Sequence, residues 1–288
     1  MAERSESQPQ VHLRPILFGD MLIDERWNRF QNHRIPYWTL YINILPGAVI
    51  QLDGGRIHAL SPAAVHLIPA WVRFDCRTTQ VVPHLWAVFD LVGVPGSLVR
   101  EVFPGVRTVP LGGNLAAAAD RLRQALAGGP DAAAVAVCAV SALVYAAICD
   151  LLASMTPAQS GRLFAASAPG SKLAPALALI ESRLERSVGN RALGRACGLS
   201  EHHFIRQFHR HVGQTPAQYR LERRIAEGAR LLATSDQALA DIAVACGFAD
   251  RHYFSRIFSR LMGLAPGAYR RKRFSSAATT PTSTEPGS

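Results

Sequence analysis

Apolar positions follow two different periods along this chain, and the change between them divides it into a strand-rich part and a helical part. From residue 13 to residue 111, short apolar runs alternate with Pro-Gly, Asp-Gly-Gly and Ser-Pro turns. The clearest predicted strands are 37–45, 49–52, 65–68 and 85–92. Many short strands of this kind are typical of an antiparallel sandwich or barrel. Residues 114–155 are rich in Ala and Leu and predict helices, with Asn114 as the expected N-cap.

The second half of the chain is predicted to form a separate helical domain. Residues 156–171 hold Pro, Ser, Gly and Ala with little periodicity and are interpreted as a linker. Leu173, Leu177, Ile180 and Leu184 then follow the spacing of an amphipathic helix. The tail is rich in Ser, Thr and Pro and is expected to be disordered. The predicted organisation is a domain over 13–155, a linker over 156–171, a domain over 172–273 and a tail over 274–288.

A degenerate repeat in the helical part carries the strongest functional signal. The segment 196–200 (ACGLS) recurs as 245–249 (ACGFA) at an offset of 49 residues. After one extra residue the offset is 50, and it relates these pairs: Phe204 and Phe254, Phe208 and Phe258, Gly213 and Gly263, Pro216 and Pro266, Tyr219 and Tyr269. Each copy predicts a short helix, a glycine turn and a second helix. This is the helix-turn-helix pattern, in which the second helix enters the major groove of DNA.

In each copy the second helix has an apolar face and a polar, mostly basic face. The predicted inward residues are Phe204, Phe208 and Val212 in the first copy and Phe254, Ile257, Phe258 and Leu261 in the second. The predicted DNA contacts are His202, His203, Arg206, Arg210, Arg251, His252, Ser255, Arg256 and Arg260. Because Arg can bind guanine through two hydrogen bonds, Arg206 and Arg256 are the expected base readers. Solvated helix faces without a ligand are the alternative, but Arg recurs at the same position in both copies.

A longer helix is predicted between the two copies. Thr215 and Pro216 provide a capping hydroxyl and a proline at the first helical position, and the helix should run to about Ala233. At 1.5 Å per residue its length is roughly 27 Å, which suits two recognition helices about one DNA turn apart. Its arginines predict a basic surface, and they are Arg220, Arg223, Arg224 and Arg230.

The charge of the chain is concentrated in the part that holds the repeat. The whole chain has a formal net charge of +10, and residues 172–273 contain 18 Lys and Arg against 8 Asp and Glu. A basic block beside a nearly neutral one is typical of nucleic-acid binding, since phosphates attract Lys and Arg whatever the base sequence.

Three features of the composition bear on the location of the protein. The polar N-terminus lacks the apolar core of a signal peptide. The five widely spaced cysteines include no C-x-x-C pair and are interpreted as reduced core thiols. Residues 132–149 carry no charge, but a segment rich in Ala without basic flanks is interpreted as a buried or partner-packed helix rather than a membrane span. A cytoplasmic protein is expected.

Residues 172–273 resemble the DNA-binding domain of AraC/XylS-type transcription regulators. The residues that carry the resemblance are 193–200, 204–208, 213–219, 242–258 and 263–270. The N-terminal part more loosely resembles the effector domain of that family, a cupin-like barrel followed by a helical dimerisation element, through residues 34–40, 60–62, 66–70 and 86–90. The resemblance implies a multi-domain α+β protein with an all-α double helix-turn-helix domain, a homodimer, contact with RNA polymerase and a small-molecule effector such as a sugar.

Aromatic and polar residues of the N-terminal part are candidates for an effector site. Trp38, Tyr41 and Trp86 could stack on a ligand, and Arg34 and His66 could anchor it, although such aromatics commonly fill a core. Histidines 58, 66 and 84 are isolated in the sequence and no H-x-H occurs, so neither a metal cofactor nor a catalytic centre is expected.

The sequence therefore predicts a DNA-binding transcription regulator, an effector-responsive activator of carbon-source or sugar-related genes, that acts on double-stranded DNA and is not an enzyme. The alternatives are a dimeric regulator or repressor without an effector, an enzyme with a DNA-binding appendage, and an architectural DNA-binding protein.

Overall fold

The computed structural model describes residues 11–166, 168 and 171–271. Its N-terminal part contains these strands: β1 His12–Ile23, β2 His33–Arg34, β3 Trp38–Asn43, β4 Ala48–Leu52, β5 Ile57–Ala59, β6 Ala64–Ile68, β7 Arg73–Thr78, β8 Val82–Val92 and β9 Arg107–Pro110. One sheet has the order β1-β8-β3-β6-β9 and the other β2-β7-β4-β5, and their strand pairs are antiparallel. The predicted antiparallel β domain is confirmed.

The first sheet is covered on both faces, which explains the nearly continuous apolar runs of its central strands. Trp38, Leu40 and Ile42 of β3 belong to a core shared with the following helices. Tyr41 faces the other way, into a second core between the two sheets. Side chains alternate between the faces of a strand, so neighbouring residues of β3 serve different cores.

The N-terminal part also contains helices α1 Gly96–Val102, α2 Gly113–Ala127, α3 Ala133–Ala153 and α4 Pro157–Phe164. Helices α2 and α3 pack on each other and α3 also lies against β1. The prediction of Asn114 as an N-cap is wrong, because Gly112 occupies that position and Asn114 lies inside α2. The predicted linker is also wrong for residues 157–164, since Thr156 caps α4 through reciprocal hydrogen bonds with Gln159.

Helix α3 is apolar on all sides. The stretch Pro130–Ala153 has a mean hydropathy of 2.4, so by length and composition alone it could cross a membrane. Core helices of soluble proteins have the same composition, and one side of α3 is buried against the sheet and α2. Its other side is exposed and includes Val135, Val137 and the thiols of Cys138 and Cys149. The interpretation of all five cysteines as core thiols is therefore wrong for these two.

The C-terminal part is helical, as predicted. Its helices are α5 Ala174–Glu181, α6 Asn190–Ala196, α7 Glu201–Val212, α8 Pro216–Thr234, α9 Leu239–Ala245, α10 Arg251–Met262 and α11 Pro266–Arg271. Leu173, Leu177 and Ile180 are buried, whereas Leu184 lies beyond α5 and is only partly buried. Residues 272 and 273 of the predicted domain and the predicted tail 274–288 lie outside the described residues.

The two parts share buried contacts. The core that holds Leu40 and Phe89 continues into Ile225 and Phe254 of the helical part. The hydroxyl of Tyr37 donates to the carbonyl of Ala226 at 2.6 Å. Asp90 of β8 accepts from Arg223 of α8 at 2.8 Å and from Arg14 of β1 at 3.2 Å. The sheet domain and the helical domain are therefore joined by a common core and a buried ion pair.

Candidate functional site

The two copies of the sequence repeat have equivalent local structures. Helices α6 and α7 form the first unit, and α9 and α10 form the second. The turns between the helices contain Gly198 with φ of 65° and Gly247 with φ of 75°, a left-handed conformation that favours glycine. The helices α7 and α10 each have 12 residues and end at a left-handed glycine, Gly213 and Gly263. Both units are therefore complete helix-turn-helix structures.

Aromatic packing fixes the second helix of each unit in the same way. The rings of Phe204 and Phe208 are 5.5 Å apart, as are those of Phe254 and Phe258. Tyr219 packs edge-on against Phe208 at 5.9 Å, and its repeat equivalent Tyr269 packs on Phe258 at 5.4 Å. The predicted inward face is confirmed for the phenylalanines, Val212 and Ile257, whereas Leu261 is only partly buried and Met262 takes the fully buried position.

The helix starts differ between the two units. The carboxylate of Asp250 accepts from the backbone N–H groups of His252 and Tyr253, both at 2.8 Å, and caps α10. These hydrogen bonds lower the pKa of Asp250. In the first unit Ser200 occupies the N-cap position of α7, but its hydroxyl makes no capping hydrogen bond. Gly189 holds the N-cap position of α6, so the side chain of Asn190 does not cap that helix.

The polar faces of α7 and α10 are exposed at the positions predicted to contact DNA. The exposed residues are His202, Arg206, Arg210, Arg251, His252, Arg256 and Arg260. His203 and Ser255 are partly buried. The Ser255 hydroxyl donates its hydrogen to the carbonyl of Arg251 at 2.7 Å, so it is left to act toward a ligand as an acceptor. The nine predicted residues thus fall on two helix faces of equivalent units.

Neighbouring side chains orient the two expected base readers. The guanidinium of Arg256 lies over the ring of Tyr253 at 5.3 Å, a cation–π contact. Arg206 lies 3.4 Å from Nδ1 of His203, which also contacts Gln207 at 3.2 Å. Tyr253 and Gln207 are not among the residues predicted from the sequence, although both lie on the helical turn between predicted DNA contacts and could have been found from that spacing.

The arginines of α8 form only part of the predicted basic surface. Arg220 donates to the carbonyl of Val188 and Arg224 to that of Leu184, both at 2.7 Å. Arg223 is buried between Asp90 and Glu181, and Arg230 pairs with Glu227 on its own helix. Arg220, Arg223 and Arg224 thereby brace α8 against the loop after α5 and against the sheet domain. The prediction of a basic α8 is wrong for Arg223 and Arg230, whose charges are paired with carboxylates, whereas Arg220 and Arg224 bind neutral carbonyls and keep their charge.

A cavity of about 480 Å³ lies in the sheet domain, at one end of the space between the sheets. Its lining includes Trp27, Tyr41, Cys76, His84 and Trp86. Asp20, Asp24, Arg26 and Arg29 also line it and supply charge of both signs. The Cβ that a larger residue would place at Gly19 would be 3.1 Å from the Trp86 ring, so this glycine makes room for the indole. Aromatic walls with a few polar groups are typical of a small-molecule site.

His84 is a buried neutral histidine of the cavity wall. Its Nδ1 lies 2.6 Å from Oδ1 of Asn43, and its ring is 4.5 Å from that of Tyr41. Burial lowers the pKa of His84 to about 3, because the charged form would lose its hydration. The imidazole is therefore uncharged at neutral pH and offers the cavity a polar but neutral group.

The structure brings together only two of the five predicted effector residues, Tyr41 and Trp86, which line the cavity. Trp38 points to the other face of the sheet, is 1 % exposed and stacks on Phe89. Arg34 lies between the two domains, where it donates to the carbonyl of Leu261 at 2.8 Å. Trp38 and Arg34 therefore do not belong to this cavity, because strand alternation and the domain interface take them elsewhere.

His66 is isolated in the sequence but contacts His58 in the fold. Nδ1 of His66 lies 2.9 Å from Nε2 of His58, and Nε2 of His66 lies 3.1 Å from the carbonyl of Ser61. Burial lowers the pKa of both rings. The pair joins β5 of one sheet to β6 of the other, away from the cavity lining. Among the described residues no group of three or more His, Cys, Asp or Glu is placed to hold a metal ion.

Comparisons with known proteins assign the helical domain. Residues 193–272 match the profile of a helix-turn-helix domain. The chain is similar to the MmsAB operon regulatory protein of Pseudomonas aeruginosa, with 43 % identity over 76 residues, 26 % of this chain and 25 % of that protein. It is also similar to the transcriptional activator RhaR of Klebsiella pneumoniae, with 39 % identity over 75 residues, 26 % of this chain and 27 % of the activator. The matched region spans about a quarter of the length of these relatives.

A solved structure extends the comparison to the whole fold. ToxT from Vibrio cholerae aligns with 92 % of this chain and 98 % of its own, at 13 % sequence identity and a TM-score of 0.55. The architecture of a β-rich N-terminal domain followed by a helical domain is therefore shared with ToxT. The match of residues 193–272 and the similarity to these regulators show that the helical domain is an AraC-type helix-turn-helix domain, similar to the DNA-binding domains of AraC/XylS regulators.

Proposed function

We propose that this protein is a sequence-specific DNA-binding transcription regulator whose α7 and α10 read adjacent major-groove segments. The observation that carries the proposal is the exposure of Arg206 and Arg256 at equivalent positions of two equivalent units. Helix α8 joins the units and, with 19 residues, has a length of about 28 Å at 1.5 Å per residue. That length suits two readers on one face of a duplex.

The nine polar residues of α7 and α10 divide into two roles in this proposal. Arg206 and Arg256 bind base edges, with His202, His203, Arg251, His252 and Ser255 contacting bases or phosphates beside them. Arg210 and Arg260 lie one turn further along each helix and bind phosphates. Phosphate contacts fix the position of the protein on DNA, and base contacts select the sequence.

The cavity between the sheets is the proposed effector site. Trp27, Tyr41 and Trp86 offer aromatic faces to a ligand, while Arg26 and Asp20 lie among the charged lining residues. Its volume of about 480 Å³ is within the range of small-molecule sites. Sugars and related carbon sources are the first ligand class to test. An unsaturated fatty acid is bound in a solved ToxT structure, which makes long-chain carboxylates the second class.

The proposal includes a cytoplasmic homodimer that contacts RNA polymerase and activates transcription. The exposed apolar side of α3 supports self-association, since it presents Val135 and Val137 without a charge between residues 132 and 149. A second candidate function is an effector-independent regulator or repressor. In that case the cavity stays empty and DNA binding is the same with every candidate ligand.

Selection of DNA ligands from a randomised duplex library tests the proposal. The full chain is incubated with the library at about 150 mM salt, where non-specific phosphate binding is weakened, and the retained DNA is sequenced. Enrichment of two short motifs about one helical turn apart is the expected result. Retention without any motif would contradict a sequence-specific regulator and favour an architectural DNA-binding protein.

Replacing each base reader tests the assignment of residues. On the selected DNA, Arg206→Ala and Arg256→Ala should each weaken binding by about 1–3 kcal/mol and relax the preference at one base position, in a different motif for each variant. Arg77→Ala, which removes an exposed arginine of β7, is the matched control and should leave binding unchanged. An equal loss on all sequences would show that the two arginines bind only the backbone.

A further inference from the structure

The C-terminal ends of both recognition helices are bound by the sheet domain and the adjoining helix α4. A helix leaves its last carbonyl groups without partners inside the helix. In α7 the carbonyl of His211 accepts from Arg162 of α4 at 2.9 Å, and that of Val212 accepts from Ser97 of α1 at 2.6 Å. In α10 the carbonyl of Leu261 accepts from Arg34 of β2 at 2.8 Å.

The two arginine contacts are made at equivalent positions of the repeat. His211 and Leu261 are separated by 50 residues, the same offset that relates Phe204 to Phe254. Each carbonyl therefore lies one residue before the end of its recognition helix. A cation at a helix C-terminus also interacts favourably with the helix dipole. The same chemical contact is thus made twice, although the two arginines come from unrelated segments of the chain.

Each arginine is itself held in place by the N-terminal half of the chain. Nε and Nη2 of Arg162 bind the two carboxylate oxygens of Glu101, both at 3.0 Å. Nε of Arg34 donates to the carbonyl of Trp71 at 3.2 Å, and its guanidinium lies 5.7 Å from the centre of the Trp71 ring. Each guanidinium group therefore binds the N-terminal half of the chain on one side and the end of a recognition helix on the other, and so links their positions.

We propose that Arg162 and Arg34 are positioning residues that set the separation of the two DNA-reading helices by binding their C-terminal carbonyl groups. The inference rests on the proposed function, since it concerns how the two units read DNA together. The expected base readers Arg206 and Arg256 each lie five residues before the bound carbonyl, so the contacts hold each helix at the end away from the bases. Fixing both far ends on one domain restricts the half-site spacings that the two helices can fit.

The two contacts differ in their relation to the cavity. Arg34 directly follows His33, which lines the cavity together with Phe30. The rings of Phe30 and His33 are 5.6 Å apart, so these two lining residues pack on each other. A ligand that displaced residues 24–33 would also displace Arg34, because Arg34 is the next residue of the chain. Arg162, by contrast, is anchored on α1 through Glu101, which does not line the cavity. An effector bound in the cavity would therefore act on the second recognition helix through Arg34.

Half-site spacing is the measurement that tests the inference. The motifs selected by the full chain are placed at their optimal spacing and at one to three base pairs more or less, and binding to each duplex is compared. We expect Arg34→Ala and Arg162→Ala to reduce the preference for the optimal spacing by about tenfold, the effect of losing one strong hydrogen bond. Affinity for DNA carrying one motif should stay unchanged, because neither arginine contacts the reading surface.

Rescue and control variants separate positioning from stability. Arg34→Lys retains a donor for the Leu261 carbonyl and should restore part of the spacing preference, and Arg77→Ala should behave as the unaltered protein. A spacing preference that survives both alanine variants overturns the inference, as does equal loss of affinity for single and paired motifs in Arg34→Ala and Arg34→Lys. Failure of the unaltered chain to select any motif would instead contradict the proposed function itself.

Discussion

At the scale of single residues, the repeat provides a pair of equivalent glycines at which the effect of backbone conformation on stability can be separated from the effect of packing. Gly198 and Gly247 occupy the same turn position with φ of 65° and 75°. A Cβ at Gly198 would meet no atom within 4 Å, whereas at Gly247 it would lie 2.7 Å from the carbonyl oxygen of Glu185 and 2.6 Å from Arg224. The two glycines therefore share a conformational requirement and differ in their surroundings.

Alanine at these two positions should have unequal effects on stability. Gly198→Ala should lower the free energy of unfolding by about 1–2 kcal/mol, the cost of a left-handed alanine. Gly247→Ala should lower it further, by about 3 kcal/mol in total, because the new methyl group also displaces the loop at Glu185. Urea unfolding of the two variants under the same conditions measures the difference. Equal losses of unfolding free energy in the two variants would show that the loop at Glu185 moves aside without a cost in stability.

The sequence predicts the faces of side chains correctly on the helices α7 and α10, but not on the strand β3. The face of α7 and α10 follows from a period of 3.6 residues, and a helix face needs no knowledge of the rest of the fold. Trp38 and Tyr41 were assigned to one site, yet three residues along a strand place side chains on opposite faces. That error was avoidable from the sequence. The contact of His58 with His66 was not, because it depends on how two sheets meet.

At the scale of elements, one four-residue motif starts two helices, and only one of these helices is predicted from the sequence. The segment Thr-Pro-Ala-Gln occurs at residues 156–159 and again at 215–218, and both copies start a helix through the same capping box. Only the second was predicted as a helix start. The first was obscured by the Ser, Gly and Ala that surround α4, which reduced the apolar periodicity. A capping box can therefore locate a helix that periodicity misses.

The exposed side of α3 gives a prediction about assembly. Ala142 lies in the middle of this side, and a charge there would have to be buried if two copies pack through α3. Ala142→Glu should convert a dimer into a monomer of 31.2 kDa, as measured by sedimentation equilibrium. Ala117→Glu places the same charge on the exposed face of α2 and should leave the dimer intact. A dimer that persists in Ala142→Glu would exclude α3 as the interface.

At the scale of the whole molecule, the ion pair of Asp90 and Arg223 joins the two domains. Both side chains are largely buried, at 5 % and 11 % exposure. Burial alone would raise the pKa of Asp90, but the neighbouring Arg223 and Arg14 outweigh it and lower the pKa. Since the folded pKa is depressed, the stabilising effect is present above the unfolded value of about 4 and is lost as the pH falls below it.

Asp90→Asn should destabilise the protein and loosen the two domains. We expect a loss of about 3 kcal/mol in the free energy of unfolding at pH 7, because Arg223 would stay buried with Glu181 as its remaining carboxylate. Urea unfolding measures this loss. Asp53→Asn, which removes an exposed carboxylate of the turn between β4 and β5, is the control and should unfold like the original protein. A similar stability of both variants would show that the Asp90 ion pair contributes little.

The arrangement of the two domains could not be predicted from the sequence. The sequence predicts that the α8 arginines form a basic surface, and only the fold shows that Asp90, 133 positions earlier, binds Arg223. Charge composition describes how many groups a segment carries, but their partners are set by long-range packing. The sequence thus predicted both domains and the reading helices, and left the contacts between the domains undetermined.

The buried guanidinium of Arg223 also limits how this chain can be recombined. A hybrid that joined its helical domain to the sensor of a distant relative would need a carboxylate at the place of Asp90, or an arginine would be left without one of its partners in the new core. Exchange of domains is therefore restricted to sensors that carry this acid. Domain shuffling among such regulators should preserve the acid and the arginine as a pair, gained or lost together.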